Sequence, residues 1–300
     1  MPGNNPDRHL RAIVLVHSSD LHIDDDCQPG EYHGLEGLRH VLATAHRVEA
    51  DVLLLAGDTF DNGRVAEPIA RQAGALLAEA RMPVILLPGN HDPALSDGIF
   101  HRSGILGLPN AMVIGHTHPD SILLERLDLE ILGRPHRSYN DMWPLPDVTP
   151  RRARWQVIIA HGHYVPPAEW ANEAHRSWRF SEAELAATGA DYVALGHWDR
   201  HEAIGDGTVK ACYSGAPDLA QSVNVCGWTA RQGSAWSALP CRCPFRRGGK
   251  VPVRGPAHAL QNDVTLPEFA GHMPELARHL ARCTSQRASF GSASSRIRGE

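Results

Sequence analysis

The chain has 300 residues, 42% of them hydrophobic, enough for one large domain or two small ones with a sizeable core. It shows no basic region leading into an apolar h-region and no run of 18 apolar residues, which argues against export and membrane insertion and for a cytoplasmic protein. Residues 227–300 hold 11 basic against 4 acidic residues, whereas the first 226 hold 18 basic against 30 acidic, so the body is a poor host for a polyanion unless bound cations neutralise part of it.

Ala12–Val16, Val52–Ala56 and Val84–Leu87 are short apolar runs with the length of strands buried on both faces. Between the first two, Leu35, Leu38, Val41, Leu42, Ala45 and Val48 recur at helical spacing, which predicts a helix over Gly34–Ala50. Val65, Ile69, Ala73, Leu76, Leu77 and Ala80 repeat the pattern before the third run. This β-α-β-α-β start implies α/β layers. Ala111–Ile114, Ser121–Leu124 and Leu127–Leu132 read as short strands of an antiparallel meander, and Gly133–Arg154, rich in Pro and Arg, as a long surface connection. Gln156–Ala160 and Asp191–Leu195 are two further buried strands. Between them Ser181–Thr188 has the pattern of a short helix, with Ser181 as N-cap and Glu184 closing a capping box.

After Cys226 the periodicity stops. Residues 227–300 are rich in Arg, Gly, Pro and Ser, and there only Pro274–Cys283 has the pattern of a short helix. A poorly ordered tail, a basic arm for an anionic partner and a shifted reading frame after SVNV (222–225) all fit that composition. The cysteines at 27, 212, 226, 241, 243 and 283 form no CxxC pair and suit a reducing compartment.

The polar residues that follow each apolar run carry the chemistry. The first run leads into HSSDLHID with Asp20 and His22, the second into GDTFDNG with Asp58, and the third into PGNHDP with Asn90, His91 and Asp92. QVIIA leads into HGHY with His161 and His163, and DYVAL into GHWDRH with His197, Asp199 and His201. In an open α/β sheet the carboxyl ends of the strands share one edge, where ligands bind. Carboxylates, imidazoles and an amide without thiolates suit Mn, Fe, Zn or Co. Six or seven such groups exceed the needs of one ion and suit two ions about 3.5–4 Å apart that share a carboxylate and a water.

The ordered set D-x-H, G-D-x-x-D, G-N-H-D, H-G-H and G-H, spread over roughly residues 12 to 225, resembles the calcineurin-like metallophosphoesterase superfamily. SSDLHID, GDTFDNGR, PGNHDP and YVALGHWDRHEAIGDGTVKACYSGAPDLA are most similar to the SbcD-type nuclease subunits of bacterial DNA repair. The resemblance implies a four-layer αββα sandwich of two mixed sheets flanked by helices, with residues 1–226 as its catalytic domain. It implies two divalent metal ions, manganese foremost, with Fe, Zn, Co and Mg as alternatives. One would be held by Asp20, His22 and Asp199 or His201, the other by Asn90, His161 and His197, with His163 as an alternative ligand, and Asp58 would bridge. By the same resemblance His91 would be the catalytic residue that stabilises charge or protonates the leaving oxygen, and Asp92 would either orient it or serve as a turn residue. Asp24, Asp25, Asp26 and Asp61 are read as solvated loop carboxylates, and His17 as a strand-end residue.

A second stretch, GHTHPD at 115–120, mimics the G-H-x-H element. It precedes the strand that delivers the H-G histidine, whereas the family places G-H-x-H after it, so GHTHPD is read as a turn and GHWDRH as the site element. GHWDRH departs from the family by placing Asp199 where a second histidine is expected.

The implied substrate is a phosphodiester, DNA in the SbcD-type reading, with an SbcC-like ATPase as partner. Trp143, Trp170, Trp178 and Trp198 are candidate stacking surfaces. The acidic body keeps a small nucleotide-like substrate open, and Asp199 keeps open a binding module with a degraded metal site.

Overall fold

A computed structural model describes residues 13–24, 34–170 and 177–217, together with the backbone of two later strands. The first half alternates β1 (Ile13–Ser18), α1 (Gly34–Arg47), β2 (Val52–Ala56), α2 (Glu67–Ala78), β3 (Val84–Leu87), α3 (Ile99–Arg102) and β4 (Ala111–Val113). The second half runs through β5 (Ser121–Leu124), β6 (Leu129–Gly133), β7 (Trp155–His161), β8 (His163–Val165), β9 (Arg179–Ser181), α4 (Glu182–Ala187), β10 (Tyr192–Gly196), β11 (Glu202–Ile204) and β12 (Ala211–Tyr213). The later strands are β13 (Val223–Trp228) and β14 (Trp236–Cys241).

Among the described residues twelve of these strands form two six-stranded mixed sheets, ordered β14-β13-β1-β2-β3-β4 and β11-β12-β10-β7-β6-β5, and β8 pairs with β9 in a separate two-stranded sheet. In the first, β1 to β4 are parallel and β13 joins β1 antiparallel. In the second, β6, β7, β10 and β12 are parallel, while β5 and β11 close the edges antiparallel.

The period of two along each strand sorts the side chains into layers. Val14, Val16, Leu53, Leu55, Val84 and Leu86 face outward and bury Leu35, Leu38, Val41 and Leu42 of α1 with Ala70, Ala73 and Leu77 of α2. Their alternates Leu15, Val52, Leu54, Ile85 and Leu87 face inward and meet Ile131, Val157, Ile159 and Tyr192 of the second sheet. On the far face Ile158, Ala160, Val193 and Leu195 pack under Phe180 and Leu185, so the fourth layer is thin, α4 with loop residue Leu145. This is the αββα sandwich implied by the sequence. The capping box is present: the Glu184 N–H donates to Ser181 Oγ at 3.4 Å and the Ser181 N–H to the Glu184 carboxylate at 2.7 Å. Among the described residues no helix is long and apolar enough to cross a membrane.

Two expectations differ from the structure. The segment from 111 to 132 is not one meander: β4 extends the first sheet in parallel, and only β5 and β6 form a hairpin, in the second sheet. Pairing with β3 decides this, because an apolar run beside an open sheet edge satisfies its backbone there. Strand structure also continues past Cys226, since β13 pairs with β1 and β14 pairs with β13. The boundary drawn at 226 thus falls inside β13. Residues 242–300, including the helix expected over Pro274–Cys283, lie outside the described residues.

The connection after β6 is irregular, as expected, and pinned. Glu130, fully buried on β6, accepts from Arg152 Nε at 2.6 Å and from Gln156 Nε2 at 3.1 Å.

Candidate metal centre

The carboxyl ends of β1, β2, β3, β7 and β10 converge where the two sheets meet. His161, at the end of β7, bonds through Nδ1 to the carbonyl of Ala56, at the end of β2, at 2.9 Å. Gly196, at the end of β10, lies so close to the same carbonyl that a Cβ would stand 1.9 Å from it. Gly57 has φ +91°, and a Cβ there would overlap the His161 ring. Any larger residue at these two positions would push the sheets apart at the site.

The backbone is strained here. Asp20, His22, Asp58 and His197 all have positive φ, at 53°, 44°, 51° and 104°. Non-glycine residues adopt this region at a cost, and such outliers cluster at functional sites.

Two groups of donor atoms result, each spanning less than 4.8 Å: His22, Asp58 and His91, and Asp20, Asp58 and His161. Asp58 belongs to both. Its carboxylate lies 3.1 Å from His161 Nε2 and 3.9 Å from His22 Nε2, and it accepts the His91 backbone N–H at 2.9 Å. Asn90 Oδ1 is 2.9 Å from His161 Nε2. With His161 Nδ1 donating to Ala56 and His22 Nδ1 donating to Asp61 at 3.0 Å, both Nε2 atoms face the cluster. Asp20 accepts the His197 N–H at 3.0 Å and a short bond from Ser19, which in turn meets Ser214 at 2.7 Å.

The electrostatics favour cations. Asp20, Asp58 and Asp92 are each at most 3% exposed, and among the described residues no Lys or Arg bonds to them. Burial pushes the Asp20 carboxyl up to about 6, with Asp58 adding to the rise. Burial also pushes up Asp58, but His161 outweighs it and holds Asp58 well below the usual carboxylate range. Burial lowers His161, and the Asp58 charge more than offsets this, raising it to about 9. A cation ligated by Nε2 of His161 must therefore displace a proton. His197 is pushed down to about 3, by burial first and by His161 next. A set of buried carboxylates and neutral or displaceable imidazoles, with second-atom hydrogen bonds fixing their tautomers, fits hard or borderline divalent ions.

The remaining residues fall into place with some reassignments. The His197 ring lies 5.3 Å from that of His161, edge-on to Trp178 at 5.7 Å. The His163 ring stacks on Trp198 at 5.4 Å and stands 6.1 Å from His197. Asp199 and His201 are exposed and lie outside both donor groups; the Asp199 carbonyl accepts from Ala216, and His201 Nδ1 pairs with the Tyr213 carbonyl at 3.0 Å. Among the described residues the Asp92 carboxylate makes no hydrogen bond to the His91 ring. That buried carboxylate accepts the N–H groups of Phe60 at 3.0 Å and Gly89 at 2.7 Å, tying the loop after β2 to the loop after β3. The residue that holds His91 is Asp61, whose carbonyl lies 2.6 Å from His91 Nδ1. Read as a solvated carboxylate, Asp61 instead orients two histidines; its place in G-D-x-x-D was the available signal. His136 carried no signal, yet it is buried, with Nε2 3.0 Å from the His161 carbonyl and its ring edge-on to His161.

GHTHPD forms a tight turn, with the Gly115 N–H donating to the His118 carbonyl at 2.8 Å, between β4 of one sheet and β5 of the other. His116 packs on Phe100 and His101, away from both donor groups.

A family model described as calcineurin-like phosphoesterase matches residues 13–200. The chain is 25% identical over 214 residues to the SbcD subunit of the SbcCD nuclease of Bacillus subtilis (strain 168), covering 60% of this chain and 54% of the relative, so it spans about half that relative's length. A candidate 5′-nucleotidase of Staphylococcus aureus, solved in complex with alpha-ketoglutarate, is similar with a TM-score of 0.50 at 14% identity, over 92% of this chain and 58% of that one, a likeness of fold.

Proposed function

This chain belongs to the calcineurin-like phosphoesterase family, and from that premise we propose that it is a two-metal phosphodiesterase acting on nucleotide substrates, a nuclease of SbcD type. The observation that carries the reading is that Asp58 stands in both donor groups, beside Asp20 and His161 in one and beside His22 in the other, with His91, the remaining member, kept for the proton. Asp20, His22, Asp58, Asn90, His161 and His197 would hold the ions, with His163 in reserve, and Asp199 or His201 would complete the first site by a swing of the side chain. Two divalent ions bound there would neutralise the phosphoryl oxygens and acidify a water.

The chain's own residues do the rest. His22 and His161 present Nε2 because Asp61 and Ala56 hold Nδ1. Asp92 fixes the loop that carries Asn90 and His91. The His91 side chain is 42% exposed, so a substrate can reach it, and its Nδ1 is held by the Asp61 carbonyl. Attack of the water oxygen on phosphorus would break the bond from phosphorus to the leaving alcohol, with the water's proton released to solvent and the leaving oxygen taking a proton from His91 Nε2. The 25% identity to a nuclease subunit supports a nucleic-acid substrate and an SbcC-like partner. The net acidic first 226 residues support a short nucleotide substrate instead.

The test is hydrolysis of bis(p-nitrophenyl) phosphate and of a labelled DNA duplex with added manganese, alongside bound-metal content. Cleavage by wild type, lost in Asp58→Ala and His91→Ala, supports the reading, and cleavage or sparing of the duplex selects the substrate. A folded wild type that retains no metal and cleaves nothing overturns it in favour of a binding module.

A further inference from the structure

A cleft of about 460 Å³ opens beside the metal centre, lined by Asn62, Arg64, Pro93, Leu95, Asp97 and Tyr139. Its volume is that of a small-molecule site. It is continuous with the chemistry on both sides. Asn62 donates to the Asp61 carboxylate at 3.1 Å, and Asp61 holds His22 and His91. Pro93 directly follows Asp92 in the loop that carries His91. The cleft is therefore lined by Asn62, which bonds to the Asp61 that holds His91, and by Asp92 and Pro93, which follow His91 in the chain.

Its chemistry is specific. Tyr139 is 59% exposed and stands over the cleft floor, its hydroxyl 3.2 Å from where a Cβ on Gly63 would lie. A larger residue at Gly63 would displace it. Arg64 is exposed, and its guanidinium makes no hydrogen bond or ion pair among the described residues; only its backbone N–H is engaged, to Asn62 Oδ1 at 2.8 Å. The metal centre does not use these two groups. A planar ring face and an unengaged guanidinium lining one cleft match an unpaired base and a phosphate or base oxygen. Asp97 offers an acceptor for a base N–H and repels a second phosphate, so the cleft takes one nucleotide unit and not a continuing strand.

Resting on the phosphodiesterase reading above, we propose that this cleft is the subsite for the leaving nucleoside. The base of that nucleoside stacks on Tyr139, and Arg64 contacts its polar edge or flanking phosphate. The unit can come from a dinucleotide or from the frayed end of a nucleic acid, and the chemistry is the same.

The test compares thymidylyl-(3′→5′)-thymidine with an analogue lacking the base on the leaving residue. Calorimetric titration uses the full chain stripped with EDTA, and kcat/KM is measured after manganese is restored. Wild type is expected to bind the intact dinucleotide about 10-fold or more tighter than the abasic analogue, the worth of one stacked base. Tyr139→Ala should erase that preference and leave the abasic analogue unaffected, while Arg64→Gln should weaken both ligands. Equal binding of the two ligands by wild type, or equal weakening of both by Tyr139→Ala, overturns the subsite even if both diesters are cleaved. Base-dependent binding by a chain that cleaves nothing sustains the subsite and overturns the phosphodiesterase reading. Repeating the titration with an eight-nucleotide strand and a duplex separates the two sources: affinity that climbs with length and falls with salt identifies a nucleic-acid end, and flat affinity a free dinucleotide.

Discussion

Two stretches of this chain, Gly115–Asp120 and Gly196–His201, both begin Gly-His after an apolar run and meet opposite fates. GHTHPD leaves β4, the edge strand of the first sheet, and turns toward the second; its Gly115–His118 bond closes the turn on itself and His116 packs on Phe100. GHWDRH leaves β10, an interior strand between β7 and β12, and delivers His197 at φ 104° beside His161. The difference lies in the strands. An interior parallel strand ends in the crevice where ligands collect, whereas an edge strand ends at the rim. Histidine spacing alone does not carry that information.

The comparison breaks most directly by exchanging the losses. Asp58→Ala and His197→Ala are expected to lower bound manganese and hydrolysis by at least the roughly 10- to 100-fold that loss of a ligand-orienting group costs. His116→Ala should stay within about twofold of wild type, since its ring touches neither donor group. A large loss in His116→Ala, read by metal content and bis(p-nitrophenyl) phosphate turnover, would reverse the roles assigned to the two stretches.

A second prediction concerns the frame that holds the site. Asp92→Ala leaves the Phe60 and Gly89 N–H groups buried without an acceptor. Each such group costs about 1–3 kcal/mol, so the variant should lose roughly 2–6 kcal/mol in denaturant unfolding, and Asp92→Asn less. Equal stability in Asp92→Ala would show that the two loops are tied by other contacts.

The third prediction is a pH slope. Burial holds the His17 imidazole down at about 3, with Nδ1 3.1 Å from the Tyr192 hydroxyl. Unfolded His17 titrates at about 6.5, so below that pH the unfolded chain binds a proton at His17 that the folded chain refuses, and the His17 contribution to stability falls as pH falls toward 3. At pH 5 the loss is about 2 kcal/mol relative to pH 7. His17→Gln should be less stable at pH 7 but show a shallower slope between pH 7 and 5.

How much of this was legible in the sequence follows from which forces are local. The α/β layering was legible because Leu53, Leu55, Val157 and Ile159 sit in continuous apolar runs that only a two-faced core can bury, while the four-layer αββα arrangement came from the family resemblance. The donors were legible because each follows such a run. The partners that aim them were not, since Asp61 and His136 act through backbone and ring contacts made only after folding. The start of β13 was legible in the strand-like SVNV at 222–225, but its continuation past Cys226 and its partner β14 were not, since the pairing of β13 with β1 and of β14 with β13 is made only after folding.

The finest test of the comparison lies inside the winning stretch. Asp199 stands where the family carries a histidine, and its exposed side chain lies outside both donor groups. A carboxylate is shorter than an imidazole, and the backbone of this turn is fixed by the Ala216 N–H bonding to the Asp199 carbonyl. Side-chain reach is therefore what a substitution at position 199 varies. Asp199→His lengthens that reach without altering the turn, and manganese affinity measured by calorimetry should rise by about 10-fold. Tighter binding with unchanged stoichiometry would show that Asp199 is a weak ligand in an otherwise complete site. A stoichiometry that rises from one ion to two would show that the first site depends on position 199 to fill at all. Unchanged affinity and stoichiometry would move the assignment to His201, and Asp199→His combined with His201→Ala would then separate the two.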